Sequence, residues 1–220
     1  MIDTGVWKRT GVSLMSKNLF ALAVSFWTAA GITVSAACSL FFLEYKIDLL
    51  FILGVLAFGI VGVVVAAKSN NPVMSFVGYM LVAVPFGAML GPLVNLYTEA
   101  SVVRVFFVTT CIVVVLGTVG AIIPDNLEGL GSWLFGGLVL LLVGYFIVPI
   151  AGLFGLPIYQ ALTLMDWIGV VLFSGYVVYD WNRAMRVPRT LDNSIDCALS
   201  IYLDFLNIFV RLLSLTGQKK

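Results

Sequence analysis

Seven runs of about 20 apolar residues, each closed by charges, prolines or glycines, fill the chain. A helix of roughly that length is what crosses ~30 Å of hydrocarbon. The runs cover residues 17–40, 49–67, 73–97, 102–123, 133–153, 162–180 and 197–215. "KSNNP" closes the second, "PDNLEG" closes the fourth, and Gly155 with Pro157 marks the turn after the fifth. Soluble domains carry about a quarter charged residues, whereas this chain has 10% charged and 61% hydrophobic residues. The sequence therefore reads as an all-α integral membrane protein whose partner is the lipid bilayer. Connections between runs are short, so successive helices pack antiparallel in one bundle, a single domain over residues 1–220 with a short N-terminal segment, 1–16, on the cytoplasmic side. More spans follow the first run and it shows no short-cored cleavage site, so it reads as a retained span rather than a signal peptide.

Charge narrows the chemistry. A net charge of +1 without any long basic or acidic run gives no footprint for nucleic acid. The chain has no histidine, which removes imidazole metal sites, Ser-His-Asp and Cys-His catalysis, and the usual switch near neutral pH. Cys38, Cys111 and Cys197 lie far apart in apolar surroundings with no CxxC spacing, so they read as small hydrophobes rather than a zinc site or a disulfide framework. Lys and Arg counts set the orientation. With the N-terminus in the cytoplasm that side collects Lys8, Arg9, Lys17, Lys68, Arg183, Arg186 and Arg189, and the other collects Lys46, Arg104, Arg211, Lys219 and Lys220. Seven against five favours N-in, while the basic tail pulls the other way and leaves open a seventh segment that stops short of crossing.

Most acids fall at predicted ends and loops, where they are solvated or cap helices: Asp3, Glu44, Asp48, Glu99, Asp125, Glu128, Asp192 and Asp166, the last as a first-turn carboxylate of the sixth helix. Asp180 and Asp204 differ. Asp204 interrupts "SIYLDFLNIFVRLL" near the middle of the seventh run, and Asp180 ends the sixth. A charge at the centre of a spanning helix costs at least about 2.5 kcal/mol on insertion scales, so it must face protein or water. Asp196, Ser200, Asp204, Asn207 and Arg211 follow one another at spacings of four, four, three and four, which sets them along one stripe of a helix. That stripe is expected to face a pore or polar cavity. Asp180 stands near the joined ends of the last two helices and could meet Asp204; two carboxyls in so dry a site cannot both ionise cheaply, so they would share a proton and titrate as a pair. Gly87 and Gly91 form a GxxxG between Pro85 and Pro92, read as close packing within the bundle.

"FSGYVVYDWNR" followed by "IYLDFLNIFVRLL", with Asp180 and Asp204 24 residues apart, resembles the C-terminal signature of the Bax inhibitor-1 (transmembrane Bax inhibitor motif) family. "GPLVNLY" at residues 91–97 resembles that family's third-helix segment. The resemblance implies seven transmembrane helices, the C-terminal one central and wrapped by the other six. It also implies a prokaryotic cytoplasmic (inner) membrane protein acting as a pH-sensitive calcium leak channel, gated by the aspartates that match here, Asp180 and Asp204. Ca²⁺ and protons would be its ligands, Ca²⁺ as the permeant ion rather than a cofactor, held weakly by Asp180 and Asp204 with oxygens of Asn207, Ser200 and water. Asp196, Ser200, Asn207 and Arg211 would line the pathway or support the pair. The chain departs from the family in carrying Phe86-Gly87 where many members have Glu-Gly, and Lys68 is the one candidate for the basic latch of the second helix. Two other readings stand beside this one. One is a regulatory membrane protein that binds a membrane protease or other membrane partner, with the aspartates as a tether. The other is an intramembrane aspartyl protease, favoured by Tyr179-Asp180 and disfavoured by "IYLD" where Gly-x-Gly-Asp is required.

Overall fold

A computed structural model of the chain describes residues 14–155 and 158–220. Among them stand seven α-helices, every one long and apolar enough to cross a membrane: α1 Lys17–Phe41, α2 Leu49–Lys68, α3 Pro72–Val94, α4 Glu99–Ile122, α5 Glu128–Gly152, α6 Ile158–Ala184 and α7 Leu191–Thr216. Lys8, Arg9, Asp3 and Pro157 lie outside the described residues.

Local chemistry sets the boundaries. Ser16 and Asp48 cap α1 and α2, accepting from the backbone N–H of Leu19 and Phe51 at 3.3 and 2.7 Å. Asn71 caps α3 with Pro72 at its first position, where the missing N–H costs nothing. α3 stops three residues before the expected Tyr97, because the chain there leaves helical pairing. Tyr97 forms a bridge with Lys219, and Thr98 donates its N–H to Gln218 O at 2.9 Å. α7 starts six residues before the expected Cys197. Thr190 caps it, its Oγ1 accepting from Asn193 N at 3.1 Å, and Asp192 in the first turn opposes the helix dipole. The extra turns are polar, so hydropathy alone does not register them. At 26 residues α7 is long enough to cross in full. It is also the most buried helix, with 61% of its apolar window covered against 39% or less in the other six.

Backbone packing divides the chain into two compact units. The first takes the described residues up to Leu96 together with Ala184–Tyr202. Here glycines let helices approach to backbone contact. A Cβ on Gly78 would lie 2.6 Å from Ala66 N and 2.7 Å from Gly62 O, and one on Gly87 would lie 2.6 Å from Ser35 Cα. A Cβ on Gly91 would likewise meet Ser39 O at 2.6 Å, so the GxxxG of α3 seats α1 within the chain, as ordinary packing. Polar ties fix the register: Ser35 Oγ donates to Ala83 O at 2.8 Å and bonds Tyr202 Oη at 2.6 Å, and Ser75 Oγ donates to Asp192 at 2.7 Å.

The second unit is Tyr97–Arg183 with Leu203–Lys220. Phe106 of α4 meets Phe205 of α7 edge-on at 5.6 Å. Gly117 and Gly120 give room to Trp181 and to the α6 backbone at Val178. Asn182, 2% exposed, donates to the carbonyls of Gly120, Ile123 and Asp125 at 3.1–3.2 Å and accepts from Leu127 N at 3.2 Å. One side chain thereby satisfies the end of α4 and the connection into α5, which begins five residues before the expected Trp133. Large apolar side chains such as Phe107, Phe135, Leu140, Phe146 and Val171 remain exposed. In a bilayer these faces meet acyl chains, which is why they are tolerated.

Candidate functional site

Asp180 and Asp204 both belong to the second unit, on α6 and α7. α6 continues one turn past Asp180 to Ala184, so Asp180 is an interior residue of its helix, and Asp204 is the fourteenth residue of the 26 in α7. Their exposures are 9% and 4%, and each carboxyl lies close enough to the other to act on it. A hydrogen bond between two carboxyl groups requires a proton on one of them. Asp204 Oδ2 is buried with no partner among the described residues. Two further groups face the pair. Arg183, exposed one turn beyond Asp180, is close enough for its charge to act on that carboxyl. Tyr176, one turn before Asp180, lies near both carboxyls. Sequence reasoning assigned neither residue to the pair, although both stand at helical spacing from Asp180, four before it and three after.

A second polar cluster lies in the same unit. Arg211 Nη1 donates to Asn207 Oδ1 at 2.8 Å and to Asn207 O at 3.1 Å. The guanidinium sits over the rings of Phe173 and Tyr145, 4.8 and 5.6 Å from their centroids. Its stem runs against Gly169, where any Cβ would collide with Arg211 Nε and Cδ. Asp166 accepts from Tyr145 Oη at 2.5 Å and from Ser214 Oγ at 2.7 Å. The Tyr145 hydroxyl thus stands between the Asp166 carboxylate and the Arg211 guanidinium. In the α3–α4 connection, burial and then the Asp166 charge raise the Tyr97 hydroxyl above its ordinary range.

One expectation is corrected here and one is corrected in part. Asp166 is not a first-turn carboxylate: α6 begins at Ile158, so Asp166 is in its third turn and tied to α5 and α7. Asp192 does stand at a helix end, in the first turn of α7, but buried rather than solvated: at 2% exposure it accepts from Ser75. Asp166 falls outside the first turn because α6 begins earlier than hydropathy indicates. Of the remaining stripe residues, Asn207 and Arg211 bond each other, while Asp196 and Ser200 are half-buried on the part of α7 that belongs to the first unit. Lys68 is the exposed last residue of α2. Among the described residues no group of three or more His, Cys, Asp or Glu side chains is placed to hold a metal ion.

The family model described as "Inhibitor of apoptosis-promoting Bax1" matches residues 17–220. The chain is 28% identical over 151 residues to "Inner membrane protein YbhL" of Escherichia coli (strain K12), covering 64% of this chain and 62% of that protein. An uncharacterized protein of Borreliella burgdorferi is 27% identical over 177 residues, covering 75% of this chain and 71% of that one. An uncharacterized membrane protein of Streptococcus pyogenes serotype M3 is 25% identical over 162 residues, covering 70% and 67%. The chain therefore spans about three fifths of the length of YbhL, the relative named first.

Proposed function

From the premise that this chain belongs to the family of inhibitors of apoptosis-promoting Bax1, a membrane family rather than an enzyme class, we propose that it is a pH-sensitive leak pathway for calcium and related cations. The observation that carries the reading is the proximity of Asp180 and Asp204, two buried carboxyls on two membrane-spanning helices of a chain without histidine. With one proton between them the carboxyls attract, and α6 and α7 stay together. When that proton leaves, two like charges face each other in a site of low dielectric, and the helices are driven apart. Among the described residues Arg183 places its charge near Asp180, and Tyr176 lies near both carboxyls.

Calcium enters this reading as cargo. It prefers six to eight hard oxygens, and two carboxylates supply only part of such a shell. A weak, incomplete site suits conduction, since an ion that binds tightly does not leave. The setting is a prokaryotic inner membrane, with the N-terminus in the cytoplasm. The test is Ca²⁺ flux into proteoliposomes across a pH series for wild type, Asp180→Asn and Asp204→Asn. Wild-type flux no higher than that of empty vesicles, or both variants matching wild type at every pH, would end the channel reading.

A second reading has its own observation. Ser75–Asp192, Ser35–Tyr202 and Asn182 with three carbonyls are buried polar ties that fix helix register. Asp180–Asp204 would then be another tie, in a regulatory protein that binds a membrane partner. That reading requires the two Asn variants to lose stability while no flux is found in any form.

A further inference from the structure

We propose, resting on the cation-pathway reading above, that Arg211 is the specificity-determining residue of that pathway, a fixed positive charge that restricts divalent more than monovalent cations. Asp204, Asn207 and Arg211 stand at spacings of three and four on α7, so Arg211 continues the face that carries Asp204, two turns or about 10 Å further along. An ion moving along that face from the aspartate pair meets the guanidinium next.

Three features hold the charge there. Asn207 accepts two hydrogen bonds from Nη1, the rings of Phe173 and Tyr145 cover the guanidinium, and Gly169 leaves space for the side chain to lie on the α6 backbone. Among the described residues no carboxylate bonds the guanidinium directly, and its Nε is buried without a partner. The nearby acid, Asp166, has one oxygen taken by Tyr145 and the other by Ser214. It therefore offsets the positive charge from behind a tyrosine hydroxyl and does not cancel it. A structural ion pair would join acid and base directly; here the acid is kept back behind Tyr145 and the base bonds Asn207 of its own stripe.

Repulsion grows with the charge of the passing ion, so any factor by which Arg211 slows a monovalent cation is squared for a divalent one. In proteoliposomes at fixed pH, Arg211→Gln is expected to raise K⁺ flux about threefold and Ca²⁺ flux about tenfold. Arg211→Lys, which keeps the charge, is expected to retain the wild-type Ca²⁺/K⁺ ratio. Asp166→Asn removes the offsetting charge and is expected to lower Ca²⁺ flux by a similar factor. Opposite signs for the two substitutions distinguish an electrostatic barrier from a structural role, since loss of packing would move both variants the same way. Monodisperse elution and thermal unfolding in detergent check folding. If Arg211→Gln does not fold, Arg211→Lys and Asp166→Asn still decide. An unchanged Ca²⁺/K⁺ ratio in Arg211→Gln, or a rise in Ca²⁺ flux in Asp166→Asn, overturns the assignment while leaving the aspartate-gated pathway standing. Absence of any wild-type flux overturns both.

Discussion

Replacing either member of the carboxyl pair with Asn isolates the force proposed to open the bundle. On the proposed reading Asp180 and Asp204 share a proton in wild type, and its loss places two negative charges side by side. At a separation of about 4 Å and an effective dielectric near 20, that repulsion is about 4 kcal/mol, or roughly three decades in an equilibrium constant. The sign follows from the chemistry: α6 and α7 are held at low pH and released as pH rises through the titration of the pair. In Asp204→Asn or Asp180→Asn the contact becomes amide to carboxylate, which needs no shared proton and never acquires a second charge. The α6–α7 equilibrium of either variant is therefore expected to change less than about threefold over a range in which wild type changes by up to ~1000-fold. Spin labels on α6 and α7 in proteoliposomes would read the helix separation, and Ca²⁺ flux over the same pH series would read its consequence. A pH-dependent separation that survives unchanged in both single variants would refute the assignment of the sensor to this pair.

The remaining predictions concern the ties that hold each unit. Asn182→Leu strands three carbonyls and one N–H around the α4–α5 connection and is expected to cost about 2–4 kcal/mol in detergent unfolding; a loss below about 0.5 kcal/mol would contradict this account. Ser75→Ala removes a donor to a buried carboxylate, Asp192, with an expected loss of about 1–3 kcal/mol in the same assay. Gly78→Val drives a side chain into the rigid backbone of α2 at Ala66 and Gly62. It should destabilise by at least about 1–3 kcal/mol, while Gly54→Ala, with open space around it, should be neutral or slightly stabilising. Equal effects for these two glycine substitutions would show that the α2–α3 approach is not tight.

What the sequence determined by itself was everything that depends on the solvent being a bilayer. Seven apolar runs must become helices, because each backbone group has to be satisfied within its own segment. A carboxylate in the middle of such a run must face protein or water, which is why Asp204 stands out from sequence alone. The repeat of 3.6 residues per turn then placed Asn207 and Arg211 on its face. Tertiary structure decided what periodicity cannot carry. Hydropathy weighs side chains, and a capped, polar first turn has none of the weight it measures, so apolar runs place the start of α7 six residues late and the end of α6 four residues early. Those missing turns are where Asp192 finds Ser75 and where Asn182 collects the end of α4. Asp166 and Arg211 are 45 residues apart in sequence, and only the packing of α5, α6 and α7 puts Tyr145 between them. That arrangement depends on which helix faces which, a choice made by glycine contacts and ring packing between distant segments rather than by any local pattern.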